Sequence, residues 1–343
     1  MRKIGVIFGG KSGEHEVSLL SATSVIEAID KETYQVIKIG ITRDGQWKYF
    51  DGDCKDIANG NWERLGKNIN PCDISALVDF ALPILHGPYG EDGTIQGLFE
   101  MLDLPYGGCG VLSSALCMDK ALAKKVFTEA GLPTSKYQLV YREDIEENID
   151  QVIETIEKTV PYTMFVKPCN MGSSVGISKV RNREELVQAL TLAISYDRRL
   201  IIEEGINCRE VETGVIGNHH PEAAAVGEIV PKKDFYDYTA KYTDDSGTEL
   251  QIPANLPKEI ADQIRDLAKK AYIALDCAGF ARVDFFVSKD NGNVYLNEIN
   301  TIPGFTKYSM FPLLWKEAGV PFQELVERII GFGDERYHAK NNR

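Results

Sequence analysis

Residues 3–18 read KIGVIFGGKSGEHEVS, an apolar run that passes through adjacent glycines into a helical pattern. Lys3 to Phe8 predicts a buried strand, and Val17 begins the apolar positions of the helix that follows. The apolar runs Val36–Ile41 and Phe80–Leu85 predict two further strands, the second of which leads into another loop and helix. Alternation of strand, loop and helix indicates an α/β fold with a doubly wound parallel sheet over roughly the first 115 residues.

The rest of the chain has a different pattern. Met118 to Ala130 predicts a helix that Gly131 and Pro133 end. Beyond Tyr137, strands and helices mix without regular alternation, which is typical of an α+β fold, and Pro257–Leu275 predicts a long amphipathic helix. Boundaries near residues 117 and 212 then give three predicted domains, 1–117, 118–212 and 213–343.

Net charge and cysteine content restrict the function classes. The 343 residues include 38 Lys and Arg against 51 Asp and Glu, which leaves a net charge of −13. Because affinity for nucleic acid comes mostly from Lys and Arg, nucleic acid is not expected as the main partner. The seven cysteines are scattered and form no CxxC pair, which favours a reducing compartment over a disulfide framework or a zinc site. No apolar run has the length of a signal peptide or a membrane span, so we expect a cytoplasmic protein without a membrane partner.

Two apolar runs near the carboxyl end predict an antiparallel hairpin. They are ARVDFFV (281–287) and VYLNEIN (294–300), and the turn formers KDNGN (289–293) join them. A turn centred on Asn291 places three pairs opposite each other: Phe286 with Leu296, Asp284 with Glu298, and Arg282 with Asn300. Side-chain alternation then puts Arg282, Asp284, Glu298 and Asn300 on one face. The other face is predicted to join the core through Val283, Phe285, Tyr295 and Ile299.

The two opposed carboxylates of this hairpin predict a metal site. Their Cβ atoms would lie about 4.5–5.5 Å apart, which is unfavourable for like charges. A divalent cation would remove the repulsion, and carboxylate and amide oxygens select Mg²⁺ or Mn²⁺ rather than zinc. The predicted ligands are Asp284, Glu298 and Asn300. The alternative is a solvated face on which Arg282 neutralises both acids, but the Gly/Pro turn 301–305 that follows could offer amides to an anion and favours the metal site.

A glycine-rich loop, CNMGSSVGIS (169–178), is a candidate phosphate-binding element. It is not a Walker loop, because GxxxxGK[ST] is absent and strands are predicted on both sides. Such a loop can still close over phosphates with backbone amides, hydroxyls and Lys167 at the strand end, although an ordinary surface hairpin would look similar. Together with Lys120 and the strand end at Glu203-Glu204, it predicts a site that binds phosphates at one end and adenine and ribose at the other.

Two further regions carry candidate ligand groups. Residues 234–245 interleave aromatic residues with Lys241 and acids, which fits either a solvated loop or a mobile lid from which Lys241 and Tyr242 reach into the site. The amino-terminal loop lacks the GxGxxG of a dehydrogenase, which argues against a Rossmann oxidoreductase. Glu14 instead puts a negative charge at the strand ends, where it suits an ammonium group, and His86 ends another strand. Each of these two could also be only a cap or a satisfied hydrogen-bond partner.

A series of motifs in this chain resembles the D-alanine–D-alanine ligases of the ATP-grasp superfamily: GGKSGEHEVS, LHGPYGEDGTIQG, MDK, VKPCNMGSSVGISKV, FYDYTAKY, ARVDFF and NEINTIPGFT. The resemblance extends over nearly the whole chain. It implies a two-part ATP-grasp fold after the amino-terminal domain, ATP with two Mg²⁺ ions (Mn²⁺ being an acceptable substitute), and a homodimer. It also implies that ATP phosphorylates the carboxylate of a first D-alanine and that the amine of a second attacks the acyl phosphate. The product would be D-alanyl-D-alanine, a peptidoglycan precursor.

The same resemblance implies roles for individual residues. Glu14 would bind the first ammonium group with His86 near the carboxylate, and Ser173 and Tyr242 would link the lid to Glu14. The nucleotide would be held by Lys120, Lys167, Ser173, Ser174, Glu203, Ile206, Glu210, Lys241 and Phe286. Mg²⁺ would be bound by Asp284, Glu298 and Asn300. The oxyanion would be stabilised by Arg282 and the Gly304 amide, and the second D-alanine would be seated by Ser309 and Met310.

The identity of the second substrate has alternatives. Related ligases join D-lactate or D-serine; the D-lactate type carries His where Tyr242 stands, and several resistance enzymes carry Arg where Met310 stands. An apolar Met suits a methyl side chain, so D-alanine is predicted, while flanking sequence such as IGITR (39–43) also resembles the D-serine type. The alternative from another class is a nucleotide-binding regulatory protein without ligase activity.

Overall fold

The computed structural model describes residues 1–172, 175–231 and 248–341, and these parts of the chain contain three sheets. The first sheet has the order β4-β3-β2-β1-β5, in which β1 pairs in parallel with both β2 and β5. Its strands are β1 (Arg2–Gly9), β2 (Tyr34–Ile41), β3 (Trp47–Phe50), β4 (Lys67–Asn68) and β5 (Phe80–Pro83). The predicted parallel sheet is therefore present, and the antiparallel strands β3 and β4 extend one edge of it.

Helices connect the strands of this first part. They are α1 (His15–Ala28), α2 (Cys54–Ala58), α3 (Trp62–Leu65), α4 (Ile74–Leu77), α5 (Thr94–Met101) and α6 (Val111–Met118). Helix α1 follows β1 directly and contacts it, so the loop between them lies at the carboxyl end of a central parallel strand. Ligands of open α/β sheets bind at this edge.

The second sheet is antiparallel and has the order β6-β9-β7-β8. Its strands are β6 (Tyr137–Tyr141), β7 (Met164–Pro168), β8 (Ser178–Val180) and β9 (Arg199–Glu204). The associated helices are α7 (Lys120–Glu129), α8 (Arg142–Thr159) and α9 (Arg183–Ala193).

The third sheet is also antiparallel, with the order β12-β11-β10-β13-β14. Its strands are β10 (Cys208–Gly217), β11 (Glu222–Pro231), β12 (Thr248–Gln251), β13 (Gly279–Ser288) and β14 (Val294–Asn300). The remaining helices are α10 (Lys258–Ala274), α11 (Met310–Glu317) and α12 (Phe322–Asn341). Within the described ranges, no helix combines the length and the apolarity needed to cross a bilayer.

The predicted helix Met118–Ala130 is α7 (Lys120–Glu129) in the structure, and Met118 is the last residue of the preceding helix α6. Asp119 has extended backbone angles (φ −86°, ψ 100°) and separates α6 from α7. Its side chain accepts a hydrogen bond from the Leu122 amide, so Asp119 is the N-cap of α7. The domain boundaries at residues 117 and 212 stay predictions; the strand β10 runs across residue 212.

One hydrophobic core joins the first sheet to the carboxyl-terminal helices. Ile4 and Phe8 of β1 belong to the same buried cluster as Phe305 and Phe311. The ring centroids of Phe305 and Phe311 lie 5.5 Å apart. This packing holds the turn after β14 against the amino-terminal part of the chain.

The hairpin β13–β14 confirms most of the predicted register. Arg282 lies opposite Asn300 and Asp284 lies opposite Glu298, as expected. The predicted pair of Phe286 with Leu296 is wrong, because a register shift after Asp284 pairs Phe285 with Leu296 and Phe286 with Tyr295. The shift adds one residue to β14, as in a β-bulge, so Leu296 rather than Tyr295 is buried.

Candidate active site

A single cavity of about 1590 Å³ lies among the three sheets and is lined by every predicted site residue that the structure describes. These residues are Glu14, His86, Lys120, Lys167, Glu203, Ile206, Glu210, Arg282, Asp284, Phe286, Glu298, Asn300, Gly304, Ser309 and Met310. The predicted residues Ser173, Ser174, Lys241 and Tyr242 lie outside the described residues. Residues far apart in the sequence are thus brought to one cavity.

The opposed acids lie on one wall of this cavity. Asp284 and Glu298 face each other across β13 and β14, and both line the cavity. Asn300 lies on the same wall, and its Nδ2 donates a hydrogen bond of 2.9 Å to Oδ2 of Asp284. The predicted face of the hairpin is therefore the cavity face.

Cationic side chains partly balance the acids of this wall. The guanidinium of Arg282 binds Asp284 through two hydrogen bonds of 2.7 Å, and its Nε lies 2.8 Å from Oε2 of Glu212. Burial opposes the charge of Arg282, but Asp284 and Glu212 outweigh it and raise the pKa of this guanidinium. The ammonium of Lys120 lies 3.7 Å from Oε2 of Glu298. Arg282 and Lys120 thus offset part of the negative charge of Asp284, Glu212 and Glu298.

The residues of this wall fit a hard divalent cation. In the described ranges no three His, Cys, Asp or Glu side chains converge as a metal cluster. Mg²⁺, however, is commonly held by one or two carboxylates together with phosphate oxygens and water. Asp284 and Glu298 supply two carboxylates in direct register and Asn300 supplies an amide beside them. The donor chemistry therefore matches a Mg²⁺ that a nucleotide helps to bind.

A buried ion triad also borders the cavity. The carboxylate of Glu203 on β9 pairs with Lys167 of β7 and lies 2.9 Å from Nζ of Lys124 on α7. Burial alone would raise the pKa of Glu203, but Lys124 and Lys167 outweigh it and lower the pKa to about 2. Lys124 also donates to Ser135 at 2.9 Å. The triad fixes Lys167 and Glu203 at the predicted nucleotide end.

Glu14 stands at the start of α1, with its carboxylate close to two glycine loops. It occupies the N-cap position but its side chain makes no capping hydrogen bond, which removes the alternative that Glu14 is only a helix cap. A Cβ at Gly87 would lie 2.8 Å from Oε2 of Glu14, and one at Gly172 would lie 3.1 Å from it. Gly87 also has φ +74°, a conformation that favours glycine. The predicted phosphate loop thus approaches the predicted ammonium-binding carboxylate.

His86 is a buried side chain whose ring nitrogens both have protein partners. Its Nδ1 lies 2.8 Å from the Ile302 carbonyl, and its Nε2 lies 2.9 Å from the hydroxyl of Ser21. Both ring nitrogens of His86 are therefore satisfied by hydrogen bonds within the protein, as the alternative interpretation of this residue expected. Burial lowers the pKa of His86, while the nearby Glu14 opposes this effect.

The predicted second-substrate residues lie where β14 leads into α11. Ser309 precedes α11, and its hydroxyl is 2.8 Å from that of Thr306. A Cβ at Gly304 would lie 3.1 Å from Oγ of Ser309, so the turn packs closely here. Met310 is largely buried but still lines the cavity.

Four residues at the site were not predicted. Glu91 accepts hydrogen bonds from the amides of Gly87 and Ile302, and Ser21, Lys124 and Glu212 make the contacts described above. Lys124 could have been found, because it stands four residues after Lys120 on one helix face. Ser21, Glu91 and Glu212 have no sequence pattern that separates them from ordinary polar residues.

Family models match both parts of the chain. The model described as the D-ala D-ala ligase N-terminus matches residues 3–109, and the model described as the D-ala D-ala ligase C-terminus matches residues 126–331.

Curated proteins of similar length are close relatives. A D-alanine–D-alanine ligase of Thermoanaerobacter sp. (strain X514) is 50% identical, with 99% of this chain and 98% of that protein covered. A D-alanine–D-alanine ligase of Acetivibrio thermocellus is 47% identical, with 98% and 97% covered.

Solved structures agree in fold. The VanG D-Ala:D-Ser ligase from Enterococcus faecalis superposes with a TM-score of 0.88 at 39% identity, covering 97% of this chain and 99% of that one. The D-alanine–D-alanine ligase from Coxiella burnetii gives 0.86 at 31% identity, covering 99% and 96%. The chain belongs to the D-alanine–D-alanine ligase family and has its ATP-grasp fold.

Proposed function

We propose that this protein joins two D-alanine molecules to D-alanyl-D-alanine at the expense of ATP, as a step of peptidoglycan precursor synthesis. The observation that carries the proposal is the cavity wall with Asp284 opposite Glu298 and Lys120 beside them. It occurs in a chain that is 50% identical over nearly its whole length to a protein named D-alanine–D-alanine ligase.

Ligases of this family use ATP and a divalent metal. In this chain Asp284, Glu298 and Asn300 would hold two Mg²⁺ ions. Mn²⁺ would be an acceptable substitute for Mg²⁺. The ion, when bound, supplies positive charge for the phosphate oxygens. Lys120 and Lys167 add charge from the protein side, and Lys241 is proposed to do so from residues outside the described ranges. Ile206, Glu210 and Phe286 would line the adenine and ribose pocket.

The first half of the reaction activates a carboxylate. A carboxylate oxygen of the first D-alanine attacks the γ-phosphorus of ATP, the bond to the β-phosphate oxygen breaks, and ADP leaves. Glu14 would bind the ammonium group of this D-alanine, with His86 beside its carboxylate. Positioning by such charged groups supplies most of the rate enhancement in phosphoryl transfer.

The second half forms the peptide bond. The amine of the second D-alanine, seated by Ser309 and Met310, attacks the carbonyl carbon of D-alanyl phosphate, and inorganic phosphate leaves as the amine loses a proton. Arg282 and the Gly304 amide would stabilise the oxyanion that forms on the way. The loop with Ser173 and Ser174, and Tyr242, would close over the acyl phosphate, because water would hydrolyse it.

D-alanine is proposed as the second substrate because Met310 offers an apolar side chain to a methyl group. D-serine is the competing second substrate, since a structural neighbour at 39% identity is titled a D-Ala:D-Ser ligase. D-Lactate as the second substrate would give an ester instead of a peptide bond.

The test is a product assay with ATP, Mg²⁺ and D-alanine, alone or with D-serine or D-lactate in excess. D-Alanine-dependent phosphate release with D-alanyl-D-alanine as the main product supports the proposal. Phosphate release at the same slow rate without D-alanine contradicts it and favours a nucleotide-binding regulatory protein. A main product containing D-serine contradicts the choice of second substrate only.

We further propose a homodimer, on the resemblance to the family. Sedimentation equilibrium should give twice the mass of one chain at micromolar concentration. A single-chain mass across that range contradicts the dimer and leaves the reaction unaffected.

A further inference from the structure

The hydroxyl of Ser21 connects α1 to two segments of the cavity wall. Ser21 has no solvent exposure, and it lies on the face of α1 that turns toward the carboxyl-terminal part of the chain. The amide of Phe305 donates to its Oγ at 3.2 Å, and the same Oγ is 2.9 Å from Nε2 of His86. One buried hydroxyl thus contacts both the strand-end histidine and the turn after β14.

The direction of these hydrogen bonds follows from the partners. The Ile302 carbonyl can only accept, so Nδ1 of His86, 2.8 Å away, carries a proton. A neutral imidazole then has Nε2 as an acceptor, and the Ser21 hydroxyl donates to it. Burial lowers the pKa of His86, which agrees with the neutral ring.

These contacts hold the turn Ile302–Phe305 at both of its ends. His86 binds the carbonyl of Ile302, and Ser21 binds the amide of Phe305 while orienting His86. Gly304 lies between the two anchored residues and lines the cavity. Because Gly304 is the residue whose amide we assign to the oxyanion, the geometry of this turn bears on the chemical step.

We propose that Ser21 is a positioning residue of the ligase: through His86 and Phe305 it holds the turn that presents the Gly304 amide to the reacting carbonyl. The inference rests on the proposed function and extends it to a buried residue that does not line the cavity. Misplacing a catalytic group by about 1 Å costs on the order of 100-fold in rate, and removing an oxyanion donor costs about as much. Loss of the Ser21 hydroxyl should therefore lower kcat more than it changes the KM for ATP.

Ser18 provides a matched control for Ser21. It lies on the same helix, is equally buried, accepts a hydrogen bond of 2.8 Å from the Gly9 amide and donates to the Ile84 carbonyl. Among the described residues, no hydrogen bond joins the Ser18 hydroxyl to His86 or to the turn Ile302–Phe305. Ser18→Ala therefore measures what loss of a buried helix hydroxyl does to the fold alone.

The experiment measures steady-state kinetics and melting temperature for Ser21→Ala, Ser18→Ala and the near-isosteric Ser21→Cys, whose thiol is a weak donor. We expect both Ser21 variants to lose about 10- to 100-fold in kcat, with the KM for ATP within about two-fold. We expect Ser18→Ala to keep kcat within about three-fold at a similar change in melting temperature. Near wild-type kcat in either Ser21 variant that folds, or equal losses in Ser18→Ala, would overturn the positioning role.

A double-mutant cycle separates positioning from general stability. If Ser21 acts partly through His86, Ser21→Ala should cost less in the His86→Gln background than in the wild type. Equal costs in both backgrounds contradict coupling through His86. The unsubstituted protein tests the proposed function separately, because a lack of D-alanine-dependent phosphate release there contradicts the ligase reaction itself.

Discussion

Glu91 is a partly buried acid whose environment favours its protonated form. Its carboxyl oxygens accept hydrogen bonds of 2.8 Å and 3.0 Å from the amides of Gly87 and Ile302. Burial, with the negative charge of Glu14 nearby, raises the pKa of Glu91 to about 8 despite these bonds. The residue joins the loop after β5 to the turn after β14 with little charge at neutral pH.

This shift makes the stability of the protein depend on pH in a defined direction. Between the ordinary pKa of 4.5 and about 8, the folded state holds a proton on Glu91 that the unfolded state has lost. The free energy of unfolding should therefore fall as pH rises through this window. Glu91→Gln keeps the shape of the neutral acid without its titration, so the drop in stability from pH 5 to pH 8 should shrink by about 2 to 4 kcal/mol.

Denaturant unfolding at pH 5 and pH 8 measures this difference, with the exposed Glu129→Gln as control. The same pH-dependent drop in Glu91→Gln and in the control would contradict a neutral Glu91.

At the residue scale, the sequence predicted side chains whose chemistry stands out in a motif. The acids Asp284 and Glu298 were predicted because their alternation on two strands can be counted from the sequence. Ser21 and Glu91 were not, because a buried serine on a helix and an acid in a polar loop resemble ordinary residues until their partners are known.

At the element scale, the hairpin β13–β14 shows the limit of register prediction. Symmetry about Asn291 paired Arg282 and Asp284 correctly, although the true centre of the turn lies slightly before Asn291. The bulge lies between these two residues and the turn, and its extra residue cancels that offset. The predicted pair nearer the turn, Phe286 with Leu296, was wrong, since nothing in the apolar alternation marks an extra residue in β14. The start of α7 was predicted within two residues, at Met118 instead of Lys120, and the N-cap residue Asp119 marks it.

Helix α7 should depend on Lys124 for its attachment to the second sheet. Lys124 is fully buried and pairs with Glu203, so Lys124→Met leaves that carboxylate with Lys167 as its remaining partner in the triad. Removing one member of a buried ion network costs about 3 kcal/mol of unfolding free energy. We also expect the KM for ATP to rise about 10-fold, because Lys167 loses its fixed position.

Lys125→Met is the matched control, since Lys125 is the next residue of α7 and is exposed. Chemical denaturation and ATP kinetics of the two variants measure the effect. Equal behaviour of the two would contradict the triad as an anchor of Lys167.

At the scale of the whole molecule, the cavity is lined by strands of the second and third sheets and by α1 and the loop after β5, so a ligand bound there should stabilise these parts together. A nucleotide at about 100 times its Kd adds about 2.7 kcal/mol to the free energy of unfolding. For a protein of this size we expect ADP with Mg²⁺ to raise the melting temperature by roughly 2–6 °C. Calorimetry with ADP and Mg²⁺, and with ADP and a chelator, measures this; equal melting temperatures in both samples would contradict a nucleotide-bound cation.

The most direct test of the metal assignment is the turnover of Asp284→Asn and Glu298→Gln at saturating Mg²⁺, ATP and D-alanine. Asp290→Asn, an exposed acid in the turn of the same hairpin, is the control. We expect each cavity variant to lose at least about 100-fold in kcat while its circular dichroism spectrum still shows the native fold, and the control to match the wild type. Activity within about two-fold of wild type in both cavity variants would show that these opposed acids do not hold the catalytic magnesium.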